Sequence, residues 1–119
     1  MTMPAKADVD DVTVQTLTGL SMGDMDVLDE MVELRQAAQQ QSGLDPRTFS
    51  LVKIAALIAM DAPPASYLWQ VAGALDAGAT PQDFVGVLRA VAPQVGGPRA
   101  MAAAPEIMTA LGLELPGGA

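Results

Sequence analysis

LDPRTFSLVKIAALIAMDAPPASYLWQVAGALDAGATPQD, residues 44–83, is the stretch that decides how this chain folds. It contains two helix starts of the same design, a capping side chain followed by proline: Asp45 before Pro46, and Thr80 before Pro81. The capping oxygen accepts from an N–H of the first turn that has no partner inside the helix. Proline at the next position lacks the N–H that would otherwise be orphaned. Asp83 sits where a negative charge complements the positive end of the helix dipole. Gly78 stops the helix that comes before Thr80. The marks therefore predict one helix over Pro46–Met60 and a second over residues 64–77, joined by a turn through Asp61, Ala62 and Pro63. The first of these is apolar on nearly every side, unlike the surface helix of a monomer. It is expected at the centre of the fold or of an assembly.

Working outward, Pro81 opens a helix to residue 92 or a little further, ended by Gly96 and Gly97. A last helix over residues 98–111 should be kinked or split by Pro105. Toward the N-terminus, residues 21–41 read as one long amphipathic helix. Its apolar positions Val27, Leu28, Met31, Val32, Leu34 and Ala38 recur at three and four, and its acidic face carries Asp24, Asp26, Asp29, Glu30 and Glu33. A short helix over residues 11–17 is weakened by Val12, Thr13 and Val14. No segment alternates as a strand does, so the fold class is all-α. Residues 1–20 are expected to form a partly flexible N-terminal extension, residues 21–113 a single helical domain, and residues 114–119 a flexible tail.

The 119 residues are half hydrophobic but include only two Phe, one Trp and one Tyr, so the interior must be built from Ala, Val, Leu, Ile and Met. A net charge of −8 with six basic residues excludes a phosphate-backbone partner and disfavours anionic lipid. The apolar run 51–60 is broken by Lys53 and falls well short of the roughly 20 residues a bilayer span requires. The first eleven residues, with Lys6, Asp8, Asp10 and Asp11, hold no signal-like apolar region, so a cytoplasmic location is expected. There is no cysteine and no histidine. That removes thiol and imidazole chemistry and zinc, haem and iron–sulfur sites, and no cofactor or metal is expected.

Three motifs, LDPRT at 44–48, ALDAGATPQD at 74–83 and GGPRA at 96–100, stand in an order and spacing that resemble the carboxymuconolactone decarboxylase family, which includes the AhpD-like alkylhydroperoxidases. The likeness covers about sixty residues, 44–101. It implies an AhpD-like helical fold whose central hairpin packs against copies of itself, as trimers or hexamers, with the chain as its own partner. In the redox branch of that family a Glu, a CxxC motif and a His generate a thiolate and relay its proton. Aligning ALDAGAT on the corresponding family segment places Leu51 at the Glu position, Pro63 and Ser66 at the two Cys positions and Gln70 at the His position. Every functional group is replaced, so peroxidase and disulfide reductase activity are excluded by chemistry. The resemblance thus implies a non-redox, catalytically divergent member that acts as a small-molecule-binding or structural protein. The alternative is a cofactor-free enzyme that reuses the pocket on a small organic acid or lactone. A further alternative is an accessory protein whose acidic N-terminal region docks a protein partner.

Leu51, Pro63, Ser66, Tyr67, Trp69 and Gln70 are accordingly the pocket-lining candidates, with no catalytic residue assigned. Ser66 and Gln70 are four apart and share a helix face. They could bind a ligand's polar group while Tyr67 and Trp69 wall the pocket, although the two aromatics equally suit packing or interface space. Lys53 interrupts an apolar helix, and a stem that snorkels along the surface accounts for it more simply than amine catalysis. Asp61 reads as turn chemistry before proline, Asp76 and Asp83 as helix-end surface, and the methionines as adaptable core filler.

Overall fold

The computed structural model describes residues 7–24 and 29–117, those at 29–32 by backbone alone. Among these the chain is all helical, in the order α1 Asp11–Ser21, α2 Asp29–Ser42, α3 Pro46–Met60, α4 Pro64–Asp76, α5 Pro81–Val95 and α6 Gly97–Ala110. None of these helices is long and apolar enough to cross a membrane.

The capping logic of the sequence operates at α3 and α5. Asp45 accepts from the Thr48 backbone N–H at 2.9 Å and from its hydroxyl at 2.8 Å. At α5 the box is reciprocal: Thr80 Oγ1 accepts from Asp83 N at 3.3 Å while Asp83 Oδ2 accepts from Thr80 N at 2.8 Å. The Asp83 carboxylate also takes the Arg47 guanidinium in a two-pronged contact, at 3.2 Å from Nε and 2.5 Å from Nη2, which ties the first turn of α3 to the first turn of α5. Hydrogen bonds from the Thr80 backbone and then the Arg47 contact hold the Asp83 carboxyl below its ordinary range. A second tie closes the other end of α3, where the Arg99 guanidinium of α6 donates to the Ala59 carbonyl. A cation there also suits the negative end of the helix.

The core is made where α3, α4, α5 and α6 meet. Ile54, Leu57 and Ile58 from α3 pack with Tyr67, Val71 and Ala74 from α4, Phe84 from α5, and Ala103 and Ile107 from α6. Each set recurs at three and four residues, the spacing that keeps side chains on one helix face. Burying one such Leu, Ile or Phe contributes about 1.5 to 3 kcal/mol. In contrast, α1 contributes no buried side chain.

Several expectations change. The helix expected over 21–41 does not begin at Ser21. That residue is the last of α1, where its hydroxyl donates to the Thr18 carbonyl at 2.7 Å instead of capping a new helix. The chain then turns through Met22 and Gly23, with Gly23 at φ +85°, a conformation that favours glycine. Of the positions assigned to the long helix, Asp26, Val27 and Leu28 and the side chains of Asp29, Glu30, Met31 and Val32 lie outside the described residues. The boundary placed between residues 20 and 21 consequently falls inside α1. Helix α6 is not split at Pro105, whereas α5 ends at Val95, within the expected bound and with Pro93 inside it. A helix tolerates one missing N–H where tertiary packing holds both of its ends.

Candidate functional site

The turn between α3 and α4 sets the floor of a cavity of about 540 Å³. Asp61 ends α3 in the left-handed region at φ 52°, and the Ala62 N–H closes the turn on the Leu57 carbonyl at 3.1 Å. Pro63 then takes the N-cap position of α4 with no side-chain cap, leaving Pro64 as the first helical residue. This tight reversal brings the end of α3 against the start of α4, and Leu57, Pro63, Ala65, Ser66, Trp69 and Gln70 line the cavity from these two helices and their turn. Leu34 and Arg35 of α2 and Leu20, Ser21 and Gly23 at the end of α1 line it as well.

Four of the six residues singled out from the sequence, Pro63, Ser66, Trp69 and Gln70, line this space. Ser66, Trp69 and Gln70 fall at i, i+3 and i+4 and so project from one side of α4. Tyr67 does not join them. It lies two residues from Trp69, about 200° around a helix, and with Val71 and Ala74 forms the core face of α4 at 1% exposure. Burial, and then the charges of Asp61 and Glu106, push its phenol above the ordinary value. Leu51 is also elsewhere. It precedes Leu57 by six positions, about 9 Å along the axis, and packs half-buried against the core. Lys53 is not on the cavity wall either. Its ammonium lies 5.1 Å over the Phe49 ring. Burial, and then the Arg35 charge, lower its pKa. Asp61, at the αL end of α3, is exposed and serves the turn.

The cavity is mostly apolar, with Leu20, Leu34, Leu57, Pro63, Ala65 and Trp69 on its walls. Its polar groups are few. Ser21 is spent on the Thr18 carbonyl, while the Ser66 hydroxyl and the Gln70 amide bond no other side chain or backbone group among the described residues. Arg35 is the sole charged lining residue among those described. Among the described residues no carboxylate lines the cavity, and no cluster of three acidic side chains suited to a metal forms.

The indole of Trp69 is held by an unusually close neighbour. A Cβ on Gly23 would lie 2.6 Å from Trp69 Cδ1, 2.8 Å from Nε1 and 3.2 Å from the Ala65 Cβ. Gly23 is thus required twice, for its positive φ and for the space its missing side chain leaves. The sequence does not reveal this part of the lining, because Leu20 reads as N-terminal extension and residues 21–23 as the start of a solvated helix. Nor does it reveal Leu57, whose core and cavity roles the spacing cannot separate, or Arg35, which an acidic helix makes look like ordinary surface. The one legible signal was Gly23 itself, a helix-stopping residue inside an otherwise helical pattern.

No curated protein and no solved structure gives a significant match to the chain. The model of the carboxymuconolactone decarboxylase family matches residues 26–107, from just before α2 through most of α6 and including the entire α3–α4 turn. Leu34, Arg35, Leu57, Pro63, Ala65, Ser66, Trp69 and Gln70 fall within that match, and Leu20, Ser21 and Gly23 before it. The motifs at 44–48, 74–83 and 96–100 are thus part of a longer likeness, and the chain belongs to the carboxymuconolactone decarboxylase family.

Proposed function

We propose that this protein is a non-redox, catalytically divergent member of its family that binds a small apolar organic molecule in the cavity beneath the α3–α4 turn. The observation that carries the reading is the cavity itself. About 540 Å³ of mostly apolar space with a few convergent polar groups is the usual make-up of a small-molecule site. Three of the four positions where the family resemblance puts the reacting groups, Pro63, Ser66 and Gln70, line it, and the fourth, Leu51, does not. With no cysteine and no histidine in the chain, its own side chains supply neither a thiolate nor an imidazole.

The same pocket could host cofactor-free chemistry on a small organic acid or lactone. Proton transfer at neutral pH needs a group whose pKa lies near 7, held within reach of the reacting atom. Among the described lining residues the polar groups are two serines, a glutamine and an arginine, none of which meets that requirement. Binding is therefore the better-supported reading. Self-association belongs to the same proposal. Val52 on α3 and Met60 at its end are exposed, as are Leu68 and Leu75 on α4 and Val85 on α5. This exposed apolar surface supports a chain completed by copies of itself.

Trp69 is the only tryptophan and stands on the cavity wall, so its emission reports occupancy directly. Titration with 1-octanol and with octanoate should change Trp69 emission saturably and raise the melting temperature. Flat titrations with both probes would sink the reading.

A further inference from the structure

Arg35 presents an electrostatic puzzle. In a chain of net charge −8 it reaches the wall of an apolar cavity without an acidic partner among the described residues, whose one ion pair joins Arg47 to Asp83. A half-buried guanidinium beside Leu34 and Leu57 has lost part of its water, and no carboxylate among the described residues replaces it. Lys53, on the adjoining helix, is a second cation nearby, its pKa lowered by burial and then by the Arg35 charge. Arg35 thus brings a positive charge to the cavity wall of a protein that is negative overall. Sharing the cavity with Arg35 are the Ser66 hydroxyl and the Gln70 amide, neither hydrogen-bonded among the described residues.

Resting on the binding function proposed above, we infer that the ligand is an apolar molecule bearing a single carboxylate. The carboxylate is held by the Arg35 guanidinium, and the hydrocarbon lies against Leu20, Leu34, Leu57 and Trp69. A guanidinium fits a carboxylate through two parallel N–H donors, which gives orientation as well as attraction. Ser66 and Gln70 supply hydrogen bonds that a neutral or an anionic oxygen can accept. The described lining has one cation and many apolar groups, so a polyanion would leave charges unpaired in poorly hydrated space.

The test uses the full chain and three probes of equal length: octanoate, 1-octanol and octylammonium, each followed by Trp69 emission. Octanoate should bind at least about tenfold tighter than 1-octanol, as expected for a hydrogen bond to a charged group, and octylammonium should bind weakest. Arg35→Met should remove the preference for octanoate while leaving 1-octanol affinity within about twofold. Arg35→Lys, which restores charge but not the fork, should keep a reduced preference. Equal affinity of the wild type for octanoate and 1-octanol would overturn the inference while leaving the binding function intact, and that comparison holds even if a variant fails to fold. Equal weakening of both probes in a folded Arg35→Met would also overturn it, because the residue would then act on the cavity's shape. Binding of neither probe would remove both the inference and the function on which it rests.

Discussion

Replacing Gly23 by alanine places a methyl group where the structure leaves none. The residue holds φ +85°, and a side chain in the left-handed region costs about 1 to 2 kcal/mol. The new Cβ would also stand 2.6 Å from Trp69 Cδ1, far inside the optimal carbon separation of about 3.5 to 4.0 Å. Rotating the indole would relieve that overlap, but the Ala65 Cβ, fixed on α4 at 3.2 Å, would still press on the methyl. Overpacking of this kind costs a further 1 to 3 kcal/mol or so. What resists separation is modest, since α1 buries no side chain and Leu20 is only half-buried. The cheaper response is for residues 20–24 to lift away from α4 while the four-helix core stays intact. Gly23→Ala should therefore red-shift Trp69 emission, increase its quenching by acrylamide and weaken octanoate binding. Far-UV circular dichroism should change little, and the unfolding midpoint of the core should shift by less than about 1 kcal/mol. Gly78→Ala provides the control. Gly78 holds φ +98° with nothing within 4 Å of an added Cβ, so it incurs the backbone cost alone, inside the α4–α5 turn. That variant should melt several degrees lower with Trp69 emission unchanged. If Gly23→Ala stays folded with wild-type emission and quenching, the proposed contact between residues 20–24 and Trp69 is wrong.

Three further outcomes are expected. Thr80→Ala, which breaks one arm of the capping box, should cost about 1 kcal/mol, and Asp83→Asn, which disturbs both the box and the Arg47 contact, should lower the melting temperature further than Arg47→Met does. Tyr67 and Lys53 should give opposite alkaline slopes. The raised Tyr67 pKa contributes stability that is present below the ordinary value of 10.0 and lost as pH rises through the folded value, whereas the lowered Lys53 pKa makes stability climb between its folded value and 10.5. Absorbance at the tyrosinate band isolates Tyr67, the single tyrosine, and the melting-temperature advantage of Lys53→Met over wild type should shrink toward pH 10.5. Finally, light scattering at micromolar concentration should find an oligomer that Val52→Glu shifts toward monomer with its helix content retained. A wild-type monomer would refute self-association.

How legible the sequence is depends on how each boundary is made. Helix α3 runs over the expected Pro46–Met60, and α4 and α5 begin at the expected prolines, because capping is local chemistry written in adjacent residues. The break between α1 and α2 is harder to read. Ser21 has the right type for an N-cap, and whether its hydroxyl turns back to Thr18 or forward to a new helix depends on where the chain goes next. Within the site, the shared face of Ser66, Trp69 and Gln70 follows from spacing alone. The same spacing sends Tyr67 into the core, and a choice made by residue type rather than by angle put it in the pocket. Arg35 joins the site because α2 packs on α3, a long-range arrangement that no local pattern encodes. The second helix tie, from Arg99 to Ala59, bridges α6 and α3 and is equally invisible in sequence.

The two walls of the cavity differ in what else depends on them. Leu57 belongs to the packed interior, and the side of α4 opposite Ser66 and Gln70 is interior too, so altering that wall disturbs the fold. Residues 20–23 lie before the family match, at the end of a helix that buries nothing. Substitutions at Leu20 and Ser21 can therefore reshape the cavity's contents at little cost to folding. A library confined to those two positions, with Gly23 kept, would change which molecule the protein holds while preserving the protein that holds it.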